Sequence, residues 1–123
     1  MGASIVVADA NKEHAWELCT MLKARHYRPT PVYSFQELKS YLQKNSCLVV
    51  VLNINTLSVD NRAIGDLAIK TPGVYLLGLT DQRFNPELRE AICYHIFACL
   101  TIPVDPGELY YWLRSIEKND SKP

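Results

Sequence analysis

The chain lacks the features that mark several classes of protein. Its 13 basic residues balance 13 acidic ones, so there is no excess of positive charge to attract nucleic acid or an anionic membrane. No apolar run approaches the ~20 residues that a membrane-spanning helix requires. No basic stretch precedes the first apolar run, as it would in a secretory signal. These absences predict a protein that contacts neither nucleic acid nor a membrane directly.

Metal-binding and disulfide motifs are also missing. The four cysteines form no C-x-x-C pair, and each lies in or beside an apolar segment, which indicates buried, reduced thiols in a cytoplasmic protein. They are Cys19, Cys47, Cys93 and Cys99. The histidines, at positions 14, 26 and 95, have no ligand-like spacing either. We therefore predict no metal site among these residues.

What the sequence does contain is a regular alternation of strand and helix patterns. Strand-like apolar runs occupy 4–8, 48–53, 74–79 and 96–101, and a short strand with two prolines, suited to a sheet edge, lies within 27–34. Helical patterns fill the intervals, at 11–26, 35–44, 58–70, 85–94 and 105–118. Helix-capping signals support several of these starts, including Asn11, Ser34 with Glu37, and Asp105 with Glu108.

This alternation predicts an α/β fold. Strands that are apolar on both faces require a parallel sheet with helices on each side, and right-handed crossovers then favour a doubly wound sheet of order 2-1-3-4-5. We assign residues 1–118 to one such (βα)5 domain of the flavodoxin or CheY type, a three-layer sandwich, and 119–123 to a polar tail or linker. In this fold the working site lies at the carboxyl ends of the strands.

Four segments resemble the receiver domain of bacterial response regulators, in the right order and at the right intervals. They are "IVVADAN" (5–11), "VVVLNIN" (49–55), "LLGLTD" (76–81) and "LTIPVDPGEL" (100–109). In that family two acidic residues after the first strand and an acceptor aspartate after the third hold Mg²⁺. A Ser/Thr and a lysine, followed by a cis proline bond, complete the site.

The resemblance places different residues at most of these positions. Ala8 stands at the first acidic position, and only Asp9 remains. Asn53 stands at the phosphoacceptor position and Ile102 at the lysine position, whereas Thr80 keeps the Ser/Thr. The resemblance also implies a cis Ile102–Pro103 bond.

These differences predict a pseudo-receiver, a degenerate receiver domain that is not phosphorylated. A carboxamide is a far poorer nucleophile than a carboxylate, and a hard cation such as Mg²⁺ binds through carboxylates. We expect no enzymatic activity, no catalytic residue, no cofactor and no Mg²⁺, with a nearly neutral pocket in place of the charged site. The plainer alternative is that Asn53 and Thr80 bond loop backbone and that Asp9 only helps to cap the first helix.

The function that this resemblance implies is regulatory. We expect a phosphorylation-independent module of two-component signalling, acting in a homodimer or with a signalling partner through the predicted helix 85–94, the last strand and the last helix. Candidate interface residues are Tyr94, Phe97, Tyr110 and Tyr111, with Trp112 in the core. The residue at the family's aromatic switch position is Cys99, so that relay is expected to be absent.

The sequence leaves the output of this module open. The polar tail suggests the N-terminal part of a transcription regulator. Alternatives are a stand-alone adaptor that binds a kinase or another signalling protein through that same face, and a small-molecule sensor that uses the neutral pocket at the strand ends.

Overall fold

The computed structural model describes residues 2–81 and 94–121, in which short strands alternate with helices. In chain order the elements are β1 (Ser4–Ala8), α1 (Lys12–Ala24), β2 (Arg28–Val32), α2 (Phe35–Lys44), β3 (Val49–Asn53), α3 (Ile54–Leu57), α4 (Asn61–Lys70), β4 (Tyr75–Thr80), β5 (Ala98–Thr101) and α5 (Pro106–Asp120). The predicted helix 85–94 lies outside the described residues except for Tyr94, as does Cys93. No helix in the described ranges is both long and apolar enough to span a bilayer.

The five strands form one parallel sheet in the order β2-β1-β3-β4-β5. This confirms the predicted doubly wound topology. β3 lies at the centre, where Val51 is aligned with Val7 of β1 and with Leu77 of β4. All five residues of β3 are buried, as expected for a strand that is covered on both faces.

Alternate residues of β3 enter two separate cores. Val49 and Val51 belong to a cluster formed with α1 and α5, whereas Val50 and Leu52 belong to a cluster formed with α2 and α4. This follows from the two-residue period of a strand, whose successive side chains point to opposite faces. The sheet is therefore the middle layer of the predicted three-layer sandwich.

β2 is an edge strand, as its prolines predict. Pro29 and Pro31 lie within it, and it pairs only with β1 in the described sheet. The Arg28 N–H donates to the carbonyl of Ala3 at 3.0 Å, and the carbonyl of Val32 accepts from Asp9 N–H at 3.0 Å. The residues on either side of the prolines thus make the bonds toward β1.

The predicted helix caps are confirmed. The side chain of Asn11 accepts the His14 N–H, that of Ser34 accepts the Glu37 N–H, and that of Asp105 accepts the Glu108 N–H, each at 3.0 Å. Each cap contributes about 1 kcal/mol and fixes where its helix begins. The first of these caps sets the position of α1 directly after β1, beside the strand ends.

The structure changes the boundaries of two predicted helices. The segment after β3 first makes a short helix, α3, which ends at Ser58 in a left-handed conformation with φ 52°. α4 then begins at Asn61 rather than at 58, because the Asp60 side chain caps it by accepting the Ala63 N–H at 2.9 Å. α5 continues to Asp120, so the boundary predicted at 118 falls within its last turn.

The end of α1 has the hydrogen bonds of a Schellman motif. The Tyr27 N–H donates to the carbonyl of Leu22 at 3.1 Å, and the His26 N–H donates to that of Lys23 at 3.0 Å. This motif requires a left-handed residue, which is usually glycine, but here it is His26 with φ 68°. The turn therefore carries a conformational cost that glycine would not have.

Candidate functional site

The carboxyl ends of β1, β3, β4 and β5 meet at one edge of the sheet, beside the start of α1. A cleft of about 440 Å³ opens there. Its described lining residues are Asn11, Glu13, His14, Glu17, Asn53, Asn55, Thr56, Asp81 and Ile102. This is the location that the fold predicts for a working site.

Asp9 is the centre of a closed hydrogen-bond network at the base of this cleft. Its side chain is 0% exposed. One carboxylate oxygen, Oδ1, accepts the Asn11 N–H at 2.9 Å and the Thr56 hydroxyl at 3.0 Å. The other, Oδ2, accepts the Asn53 side-chain amide at 2.9 Å and contacts Nδ1 of the His14 ring. Asp9 thus does more than assist the cap of α1, which was the plainer prediction.

Asn53 has two structural roles at the end of β3. Its Oδ1 accepts the N–H groups of Asn55 at 3.2 Å and Thr56 at 3.1 Å, which caps α3, while its Nδ2 donates to Asp9. The residue is 1% exposed. The plainer prediction, that Asn53 bonds loop backbone, is therefore confirmed. Because the oxygen faces two N–H donors and the nitrogen faces a carboxylate, the orientation of the amide is fixed.

The other predicted site residues lie at the same edge of the sheet but add little polar chemistry. Ala8 is buried in the core on the α2 and α4 side. Ile102 lines the cleft and packs partly against the α1 and α5 side, and its bond to Pro103 is cis, as predicted. Thr80 is buried, with its hydroxyl 3.4 Å from Oδ1 of Asn55.

The cleft is more acidic than the sequence predicts. Its described lining includes Glu13, Glu17 and Asp81, and His14 is the sole basic side chain among these lining residues. The prediction of a nearly neutral pocket is therefore wrong for the cleft as a whole. The error arose because Glu13 and Glu17 of α1 bring carboxylates to the rim from outside the four resembling segments. Asp81, which ends one of those segments, was given no role in the site.

Sequence reasoning missed two members of the network, His14 and Thr56. The hydroxyl of Thr56 donates to Asp9 and accepts the Ala10 N–H at 3.1 Å, so it joins α3 to the end of β1. His14 is the third residue of α1, and its place is set by the Asn11 cap. A local signal existed for His14, since the N-cap at Asn11 places it in the first helical turn after Asp9. None existed for Thr56, which lies 47 residues from Asp9.

Exposed aromatic side chains occur on α5 and in the segment that leads into β5. Tyr94 is 76% exposed, Tyr111 is 56% exposed and Phe97 is also exposed. Trp112 is partly buried and makes edge-to-face contacts with Phe97 and Tyr111, with ring centroids 6.0 and 5.1 Å apart. We call Phe97, Tyr111 and Trp112, which these ring contacts join, the aromatic face.

Tyr110 does not belong to the aromatic face, which corrects its prediction as an interface residue. It is only 8% exposed, its hydroxyl donates to the carbonyl of Met21 at 2.8 Å, and its ring lies 4.3 Å from the Arg25 guanidinium. Tyr110, Leu113 and Ile116 follow one another at three-residue intervals and all face the core. That spacing was the signal that places Tyr110 on the inner side of α5.

The described cysteines are free thiols within apolar surroundings. Burial raises the pKa of Cys47 to about 11 and also raises the pKa values of Cys19 and Cys99. Cys99 packs against Gly78 of β4, where an added Cβ would lie 3.0 Å from the Cys99 sulfur. These thiols are therefore poor nucleophiles at neutral pH, and in the described part of the chain no group of three His, Cys, Asp or Glu side chains is arranged to hold a metal.

Comparison with known proteins places this geometry among receiver domains. No protein-family model matches the sequence, and no curated protein matches it. A CheY-like receiver domain protein from Methanospirillum hungatei superposes with a TM-score of 0.87 at 12% identity, covering 98% of this chain and 97% of that one. The signal receiver domain of an HD domain-containing protein from Pseudomonas fluorescens gives 0.86 at 17% identity, covering 98% of both chains. The chemotaxis response regulator CheY4 of Vibrio cholerae gives 0.82 at 15% identity, covering 94% of this chain and 99% of that one. The chain therefore has the CheY-like receiver fold over nearly its whole length.

Proposed function

We propose that this domain is a pseudo-receiver: a regulatory module of a signalling or transcription regulator that works without phosphorylation and without catalysing a reaction. Asn53 carries this proposal. It occupies the position from which a receiver's phosphoacceptor aspartate would act, and both ends of its amide are engaged in hydrogen bonds. A neutral amide held in this way offers no anionic oxygen for attack on phosphorus.

The side chains at the strand ends also support the part of the proposal that concerns Mg²⁺, namely that the domain works without this ion. The ion binds through carboxylate oxygens and waters. Ala8 offers no ligand, Asn53 is neutral, and each oxygen of Asp9 already has two hydrogen-bonding neighbours. These residues do not fit a receiver-type magnesium site, so no step of the proposed function uses a metal.

In place of phosphorylation, we propose that the aromatic face binds a partner, in the simplest case a second copy of the chain. Exposed tyrosine, phenylalanine and tryptophan side chains are enriched at protein interfaces. Tyr111 projects most of its area into solvent, as does Tyr94 in the segment before β5. The lack of net charge on the chain supports an output through protein contacts rather than direct DNA binding.

The first test addresses phosphorylation. The domain is incubated with Mg²⁺ and either acetyl phosphate or beryllofluoride, and its intact mass and amide NMR spectrum are recorded. We expect no mass increase and no saturable shifts at Asn53, Asn55 or Thr80. Saturable shifts at these residues, or a phosphate adduct, would refute the proposal.

The second test addresses assembly. Sedimentation velocity over a range of concentrations should show a dimer for the wild-type domain and a monomer for Tyr111→Ala. Trp16→Ala is a matched control, because it removes another exposed aromatic ring, from α1 rather than from the aromatic face. A strict monomer at high concentration, or a dimer insensitive to Tyr111→Ala, would remove the dimer from the proposal.

A second candidate function is an adaptor that binds its partner through α1, a different face from the one predicted from the sequence. Trp16 is 68% exposed on α1, the helix that also supplies Glu13, His14 and Glu17 to the cleft. In the adaptor function a kinase or other signalling protein would cover Trp16 rather than the aromatic face. Binding of such a partner that is lost in Trp16→Ala but kept in Tyr111→Ala would favour the adaptor.

The proposed setting is the cytoplasm. Cys19, Cys47 and Cys99 are free thiols, and reducing compartments are where unpaired cysteines persist. Burial, which raises their pKa values, further protects them from oxidation at neutral pH.

A further inference from the structure

A second groove lies between α2 and α4, on the opposite side of the sheet from α1 and α5. Its volume is about 520 Å³, within the range of about 300–1,000 Å³ that is usual for small-molecule sites. Phe35 and Leu42 of α2, with Ala63 and Leu67 of α4, form its apolar lining. Leu67 is buried, whereas the other three are only partly buried against the core on this side. Part of their apolar surface therefore faces the groove.

Three basic side chains surround this apolar lining. Lys39 comes from α2, and Arg62 and Lys70 come from opposite ends of α4. The Lys39 ammonium lies 5.4 Å from the centroid of the Phe35 ring, so its positive charge is held beside an apolar residue of the groove. Among the described residues, none of the three cations lies within ion-pairing distance of a carboxylate. The groove thus has basic groups that are available to a ligand.

The acidic residues of the groove offset these charges only in part. The Asp60 carboxylate caps α4, where its Oδ1 accepts the Ala63 N–H at 2.9 Å, and it therefore faces the positive end of the helix dipole. Asp66 is the other carboxylate in the described lining, and it lies one helical turn from both Arg62 and Lys70. Even with both carboxylates counted, the three cations leave the groove with a net positive charge.

We propose that this groove binds a small organic anion with an aromatic or branched apolar body, such as an aryl carboxylate. The apolar body covers the partly buried side chains of α2 and α4, and the anionic group meets the basic side chains around them. The site is separate from the strand-end cleft and from the aromatic face. It goes beyond the proposed function, because it gives the domain a ligand site that does not use the receiver position.

The test is an amide NMR titration of the isotope-labelled protein with 2-naphthoate and, as its neutral counterpart, 2-naphthamide. We expect saturable shifts in α2 and α4 with naphthoate. Naphthamide should bind about tenfold more weakly, because hydrogen bonds to a charged acceptor are roughly twice as strong as those to a neutral one. Raising the NaCl concentration should weaken naphthoate binding, since salt screens exposed charges. The amides of Asn53 and Asn55 at the strand ends should not shift.

Variants of the lining identify the groups that bind. Lys39→Gln and Arg62→Gln should each weaken naphthoate binding about two- to fivefold, the effect of losing one exposed ion pair, and should leave naphthamide binding unchanged. Lys44→Gln is the matched control, because Lys44 is an exposed residue of α2 outside the groove. Ala63→Phe fills the groove and should abolish saturable binding. The two charge variants alter exposed side chains, so they keep the test decisive if Ala63→Phe does not fold.

The inference is overturned if naphthoate and naphthamide bind equally, if the Lys44→Gln control loses as much affinity as the groove variants, or if the saturable shifts fall on other elements. Competition by acetate at the same concentration would also overturn it, since acetate has the charge but hardly any apolar body. Shifts of the α2 and α4 amides on dilution of the protein alone would instead identify a second copy as the occupant. The phosphorylation test reads Asn53 and Thr80 at the strand ends, so failure of this site leaves the pseudo-receiver standing.

Discussion

Replacing Asn53 with aspartate is expected to destabilise the domain rather than to restore a phosphorylation site. In the wild type, Nδ2 of Asn53 donates to Oδ2 of Asp9 at 2.9 Å, with both residues essentially buried. The variant replaces this donor with a carboxylate oxygen, so that two negative groups face each other at the same distance.

The size of the effect follows from this geometry. Two unit charges at this separation repel by about 6 kcal/mol at an effective dielectric constant of about 20. Spreading of each charge over two oxygens, and uptake of a shared proton, reduce the penalty. We therefore expect a net loss of about 3–5 kcal/mol at neutral pH, typical of an uncompensated buried charge. This is a large part of the 5–15 kcal/mol by which domains of this size are usually stable.

Urea denaturation of wild type and Asn53→Asp measures this loss. The matched control is Asn55→Asp, which makes the same chemical change two residues away at an exposed side chain and should cost less than about 1 kcal/mol. The deficit of Asn53→Asp should shrink at acidic pH, where a proton can bridge the two carboxyl groups. Incubation with acetyl phosphate and Mg²⁺ should still give no adduct, because Ala8 and Ile102 are unchanged.

The reasoning is refuted if Asn53→Asp unfolds within about 0.5 kcal/mol of wild type, the range of ordinary surface substitutions. That result would mean that Asn53 and Asp9 do not face each other as described. An efficient phosphate adduct on Asn53→Asp would refute the expectation of no phosphorylation, since it would show that Asp9 and the introduced carboxylate suffice without an acidic residue at position 8 or a lysine at position 102.

Three further predictions concern the scaffold. His26→Gly should stabilise the domain against urea by about 0.5–1 kcal/mol, because residue 26 has a left-handed φ of 68°; a loss of stability would contradict the Schellman turn. Gly78→Ala should cost about 1–3 kcal/mol through overpacking against the Cys99 sulfur and Cδ1 of Ile54, each 3.0 Å from the added Cβ; Cys99→Ala should relieve part of that cost, whereas additive losses would argue against the contact with Cys99. Burial, and the hydrogen bond that the Tyr27 hydroxyl donates to Glu117 at 2.5 Å, raise the pKa of Tyr27 above its ordinary value of 10.0. The contribution of Tyr27 to the free energy of unfolding is therefore complete below about pH 10 and declines above it. Tyr27→Phe should therefore lose less stability than wild type between neutral pH and about pH 11, and equal losses would contradict the Tyr27–Glu117 bond.

Local features of the fold were predictable because their causes are local. Asn11, Ser34 and Asp105 cap the helices that follow them, since each interaction spans three residues and leaves a spacing visible in the sequence. The central strand was equally clear, because burial on both faces requires an uninterrupted apolar run. Once these elements were placed, the strand order of the sheet could be inferred from the right-handedness of the crossover connections.

The site was only partly predictable, because its chemistry depends on residues brought together by the fold. Motif positions located Asp9 and Asn53, but the Thr56 hydroxyl reaches Asp9 across 47 residues of sequence. The acidic rim was missed for the same reason. Tyr110 was misplaced although its spacing with Leu113 and Ile116 indicates the inner side of α5; only the fold shows that its hydroxyl donates to the carbonyl of Met21 in α1. A periodicity within α5 shows which residues share a side, but not which helix lies opposite.

The two prolines of β2 disfavour pairing of another strand with the open edge of the sheet at β2. In a parallel strand, alternate residues direct their backbone groups to opposite sides, and those of Arg28 and Val32 bond toward β1. Pro29 and Pro31 therefore face away from the sheet at the positions where an added strand would need N–H donors. Crowded or partly unfolded molecules cannot lengthen the sheet across this border, which removes one route to fibril-like aggregation.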